Sequence, residues 1–82
     1  MSDLTKKINL VSNFATLSKT VDFNDFYHIG IDVARSKITL QGHMSPMTID
    51  TARKLNLWLE FDNETNMLIG VSEDDKLRIV LT

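Results

Sequence analysis

Hydrophobic residues follow two different periods along this chain. Tyr27, Ile29, Ile31 and Val33 alternate with His28, Gly30 and Asp32, and Ile38, Leu40 and Gly42 alternate with Thr39, Gln41 and His43. A period of two belongs to a strand with one buried face. If residues 34–37 form the loop, Val33 opposes Ile38, Ile31 opposes Leu40 and Ile29 opposes Gly42, which gathers the apolar side chains on one side. The spacing predicts a hairpin over about 26–43.

The C-terminal part repeats the pattern three times. Leu57, Leu59 and Phe61 alternate, then Met67, Ile69 and Val71, then Leu77, Ile79 and Leu81. Loops at 62–66 and 72–76 place Phe61 opposite Met67, Leu59 opposite Ile69 and Val71 opposite Leu77. The result is a three-strand meander over about 57–82 with one apolar face. Its last strand, ending at Thr82, is expected at the edge of the sheet.

Two segments have helical spacing instead. Leu4, Ile8, Val11 and Ala15 form one stripe, widened by Leu10, Phe14 and Leu17, while Lys6, Lys7 and Asn13 point away. This predicts a helix over about 4–18. Ser45 followed by Pro46 is a helix start, an N-cap serine before a proline at the first helical position. Ile49, Ala52 and Leu55 then share a face, and Asn56 ends a helix over about 46–56. The order is α-β-β-α-β-β-β. The fold class is α+β, a single small domain with an antiparallel sheet and helices packed on its apolar face.

The second face of the meander is the most informative feature. Its expected members are Trp58, Glu60, Leu68, Gly70, Arg78 and Val80, with Trp58, Gly70 and Arg78 in one row. A glycine there leaves a slot in which Arg78 could lie over the indole. A sheet face open to water should be polar, so a tryptophan beside leucine, valine and arginine needs an explanation. Either the first helix folds across it, or the face meets a partner. Tryptophan and arginine are enriched at binding hot spots.

Composition narrows the functions. The 82 residues are 43% hydrophobic and 24% charged, ordinary globular values, with a net charge of −2. That charge argues against nucleic acid as partner, which calls for a basic face. No apolar run approaches ~18 residues, and the first residues lack a secretion-signal pattern, so a cytoplasmic protein without membrane contact is expected. With no cysteine there is no disulfide framework and no cysteine metal site.

Candidate chemistry is sparse. His28 and His43 oppose each other in the hairpin register above, where with Asp25 or Asp32 they could approach a metal, but the spacing matches no established metal motif. None of the six serines stands in a nucleophile-elbow context, and the three glycines are isolated within strands. Glu60, Asp62 and Glu64 gather at one end of the meander, and Glu73, Asp74 and Asp75 at the other. No lysine or arginine falls between residues 60 and 75. These acids read as solvated loops or as a rim that meets a basic partner.

No cofactor or metal is implied. The reading is a non-enzymatic protein-binding module that occupies a partner's surface. In general profile it is similar to small inhibitors and adaptors of phages and mobile elements. Trp58 is the expected anchor, with Leu68, Arg78 and Val80 beside it and Glu60, Asp62 and Glu64 as the rim. The alternative is a homo-oligomeric structural or chaperone-like protein, a homodimer in the simplest case.

Overall fold

The computed structural model describes residues 3–82, leaving aside the side chains of residues 3, 4 and 6. The expected inward placement of Leu4 and outward placement of Lys6 therefore lie outside the described residues. Helix α1 spans Asp3–Leu17, followed by a short 3-10 turn at Phe23–Asp25, strands β1 (Phe26–Asp32) and β2 (Lys37–Gly42), helix α2 (Pro46–Lys54), and strands β3 (Trp58–Asp62), β4 (Met67–Val71) and β5 (Leu77–Leu81). The order and class are those the periodicity predicts.

The five strands form one sheet in the order β1-β2-β5-β4-β3. β5 lies in the middle, parallel to β2 and antiparallel to β4. This corrects two expectations: the strand ending at Thr82 is central, not an edge, and the sheet has one parallel pair. α2 provides the physical reason. Its crossover lets the chain return beside β2, so β5 (Leu77–Leu81) lies between two neighbouring strands with Ile79 and Leu81 in the core. Ile79 and Leu81 are fully buried.

One face of the sheet carries the core. Ile38, Leu40, Ile79 and Leu81 pack with Leu10 and Leu17 of α1 and Ala52 of α2, joined by Val21, Phe26 and Leu57. Both helices therefore contribute to the same side. On α1 the stripe that reaches the core is Leu10, Phe14 and Leu17. Ile8 and Val11, expected to face inward, are 58% and 69% exposed, and Ala15 is exposed too. The Phe14 and Phe23 rings stack 5.0 Å apart, which ties the helix to the chain that follows it and settles which stripe turns inward.

α2 follows its sequence signals closely. Ser45 accepts from the Thr48 N–H, and the Thr48 hydroxyl accepts in turn from the Ser45 N–H at 3.0 Å, a capping box with Pro46 in the first turn. At the other end Asn56 has φ 57. The Asn56 N–H donates to the Arg53 carbonyl and the Leu57 N–H to the Ala52 carbonyl, at 3.0 and 3.1 Å. This is a Schellman motif closed by asparagine in place of glycine.

The hairpin registers differ from the expected ones: the β1–β2 loop keeps four residues but begins one residue earlier, and the β3–β4 loop has four residues in place of five. β1 and β2 are joined by residues 33–36, with Asp32 opposite Lys37, Ile31 opposite Ile38 and Ile29 opposite Leu40. The shift from the expected pairing is two residues, so the faces are preserved. β3 and β4 are joined by residues 63–66, with Asp62 opposite Met67 and Phe61 opposite Leu68. The two loops share a construction. Asp32 and Asp62 accept backbone N–H bonds from Arg35 and Glu64, and the last loop residues, Ser36 and Asn66, have φ 55 and 57.

The second shift is by one residue, and a one-residue slip turns a strand over. The β4–β5 pairing is displaced equally, with Val71 opposite Arg78 and Gly70 opposite Ile79. The two displacements cancel for β3 and β5, so β4 alone is reversed. Gly70 and Leu68 lie on the core face, and Met67, Ile69 and Val71 on the open one.

Candidate functional site

The open face begins at the end of α2. The Schellman motif directs Leu57 into the core, where its side chain packs over Gly70. Trp58 follows and so projects to the opposite side. Because β3 is an edge strand, Trp58 has sheet on one flank only and is 78% exposed. α1 does not cover this face.

From β3 inward, the residues form two rows. Trp58, Val71, Arg78 and Thr39 make one, and Glu60, Ile69, Val80 and Gln41 the next. The half built on β3, β4 and β5 is apolar with charged residues between, and the half built on β1 and β2 is polar. Beside β3 lies a depression of about 820 Å³ lined chiefly by Trp58, Glu60, Ile69, Val71, Arg78 and the 62–64 turn. Its volume is that of a ligand pocket, but it is open to water, whereas small-molecule sites bury most of their ligand.

Of the expected site residues, Trp58, Glu60, Asp62, Arg78 and Val80 share this face, and Glu64 sits in the turn at its end. Leu68 does not belong. It pairs with Phe61 and Leu81, packs against the core, and gives way to Ile69 on the open face. The glycine slot is also absent: Val71 stands between Trp58 and Arg78, and Trp58 has no ring or cation partner among the described residues.

The acids divide into two kinds. Asp62 accepts from the Glu64 N–H at 2.9 Å; this bond, with the Thr65 hydroxyl, holds its carboxyl below the ordinary range. Asp74 is held low by the Ser72 hydroxyl at 2.7 Å and by the Lys76 N–H. Asp75 is held low by the Lys37 ammonium, also at 2.7 Å. These three build turns. Glu60, Glu64 and Glu73 have no ion-pair partner among the described residues, whose ion pairs are Asp32–Arg35, Asp75–Lys37 and Asp50–Lys54.

The histidines do not meet. A bulge between Phe26 and His28 and the two-residue shift put His28 opposite Gln41, while the His43 ring lies 5.1 Å from Tyr27. Among the described residues no group of three or more potential ligands could hold a metal ion. Ser18, Ser45 and Ser72 have their hydroxyls engaged in caps and turns. No helix of the described residues is long and apolar enough to cross a membrane.

Met67, Ile69 and Val71 are the open-face residues that alternation misassigns. The available signal is the spacing Asp32-x-x-x-Ser36 and Asp62-x-x-x-Asn66, which marks the same four-residue loop twice. No family model, no curated protein and no solved structure matches the chain.

Proposed function

We propose that this is a non-enzymatic protein-binding module that acts in the cytoplasm by occupying a partner protein's surface, with Trp58 as its anchor. One observation carries the reading: the only tryptophan is 78% exposed on an edge strand, beside Ile69 and Val71. An indole buries a large apolar area at an interface, and hot-spot residues, among which tryptophan is enriched, cost on the order of 2 kcal/mol or more when truncated. That is about thirtyfold in affinity.

The test compares immobilised wild type with Trp58→Ala against host lysate, followed by affinity measurement with the isolated partner. Because Trp58 supports no core residue, Trp58→Ala should keep its circular dichroism and its stability within about 0.5 kcal/mol. The expected result is a stoichiometric partner held by wild type and weakened at least tenfold by the substitution. A variant that unfolds, or a partner indifferent to it, refutes Trp58 as anchor.

A second reading, self-association, is favoured by one observation of its own. Ile8 and Val11 form an exposed apolar strip on α1, away from the Trp58 face. A solution mass of twice the chain, lost on Ile8→Glu and kept in Trp58→Ala, would support that reading.

A further inference from the structure

We propose, building on the protein-binding reading above, that the free edge of β3 receives an extended basic segment of the partner, which adds as a further strand and lays lysine or arginine side chains between Trp58 and Glu60. β3 ends the sheet, and its register with β4 is unbroken from Trp58 to Asp62. In an edge strand every second residue turns its N–H and C=O away from the sheet, a template for another strand. Hydrophobic side chains flank this edge on both faces: Trp58 on one, and Leu59 and Phe61, 36% and 48% exposed, on the other. The opposite edge is less suited, because the bulge at Tyr27 interrupts β1 and bulges blunt an edge against pairing.

Charge selects the occupant. Glu60 lies on the open face of β3 and Glu64 in the adjoining turn, and neither has an ion-pair partner among the described residues. Arg78 stands two strands inward, about 14 Å from any strand added beside β3. A lysine or arginine on the added strand would lie beside the exposed indole and reach Glu60, combining a cation–π contact with a charge-assisted hydrogen bond.

A second copy of the chain fits this edge poorly. Symmetric antiparallel pairing must match residues of the same face. Centred on Glu60, it sets Glu60 against Glu60 of the other copy. Centred on Phe61, it sets Glu60 against Asp62. Centred on Leu59, it sets Trp58 against Glu60. Each arrangement gathers the acids of both copies along one seam with no cation beside them, and like charges directly opposed destabilise a ladder. A basic strand meets no such repulsion.

The test is selection from a displayed library of random nine-residue peptides on wild-type protein, with counter-selection on Trp58→Ala. The expected peptides carry lysine or arginine at alternate positions. They should bind at least tenfold more weakly to Glu60→Lys. They should bind equally well to Asp50→Lys, which makes the same charge change on α2. On binding, amide exchange at Leu59 and Phe61 should slow. Peptides without basic alternation, no enriched peptide, indifference to Glu60→Lys, or unprotected Leu59 and Phe61 amides each overturn the proposal. A whole partner that depends on Trp58 but ignores Glu60→Lys, with the β3 amides still exchanging freely, overturns edge docking while the broader binding reading stands. Protection of those amides in the free protein together with a doubled solution mass overturns it in favour of self-pairing.

Discussion

Replacing Gly70 by alanine tests the arrangement that exposes the candidate face. A Cβ at Gly70 would lie 3.0 Å from Leu59 Cδ2 and 3.2 Å from both Cβ and Cδ1 of Leu57. The Leu59 methyl is the end of a half-exposed side chain and can move. The Leu57 Cβ is held by the backbone, which the Schellman motif pins to Ala52. Overpacking of this kind costs roughly 1–3 kcal/mol. Against it stands a gain of about 0.4–1 kcal/mol, because alanine has fewer unfolded conformations than glycine. The net expectation is a loss of about 1 kcal/mol, or about 4–8 °C in melting temperature for a domain of this size. Urea or thermal unfolding followed by circular dichroism reads it directly. In a Leu59→Ala background the loss should shrink, since the nearest obstructing atom is gone. If β4 were turned over, position 70 would face solvent and only the entropic gain would remain. Gly70→Ala that is neutral or stabilising therefore refutes the register, and with it the placement of Ile69 and Val71 beside Trp58.

Other predictions follow from the turns and caps. Ser36 occupies the left-handed region at φ 55, so Ser36→Gly should raise stability by about 0.5–1 kcal/mol in urea unfolding. Thr48 is 2% exposed and its hydroxyl bonds to the His43 carbonyl at 2.8 Å and to Ser45. Thr48→Val keeps the shape and leaves those groups unpaired, for a loss of about 1–3 kcal/mol in the same assay. Asp62, Asp74 and Asp75 all have folded-state pKa values below the ordinary one. The unfolded chain then binds more protons, so their contribution is full above about pH 4 and is lost as pH falls through the folded values. Asp75→Asn, which tolerates the φ of 59 at that position, should make the urea midpoint less steep in this acid window. It should also reduce the dependence of the midpoint on added salt, by the share owed to the Lys37–Asp75 pair.

The parts of the fold read correctly from sequence are those where one local feature decides. Ser45-Pro46 starts α2, and Ile29, Ile31, Ile38 and Leu40 share a face whichever even register their hairpin adopts. Trp58, Glu60, Arg78 and Val80 are legible as a second face because β3 and β5 keep their orientation. β4 resists this reading because Met67, Leu68, Ile69 and Val71 are apolar on both sides. Alternation then carries no information, and the loop alone sets the register. That loop ends at Asn66 as the apolar pattern implies, but Asp62 belongs to β3, so four residues rather than five turn the chain and Asn66 closes them in a left-handed conformation. The inward stripe of α1 depends on the Phe14–Phe23 stack, a contact made by a ring outside the helix. The central place of β5 depends on the β2–β5 pairing, between strands far apart in the chain, which no local pattern encodes.

The central claim is that the Trp58 face is an uncovered surface, and the fluorescence of this single tryptophan tests it most directly. An uncovered Trp58 should emit close to an indole in water and be quenched by acrylamide nearly as efficiently as the free amino acid, at every protein concentration. Blue-shifted emission protected from the quencher would contradict it, because Trp58 would then be buried beneath the protein's own chain or a second copy.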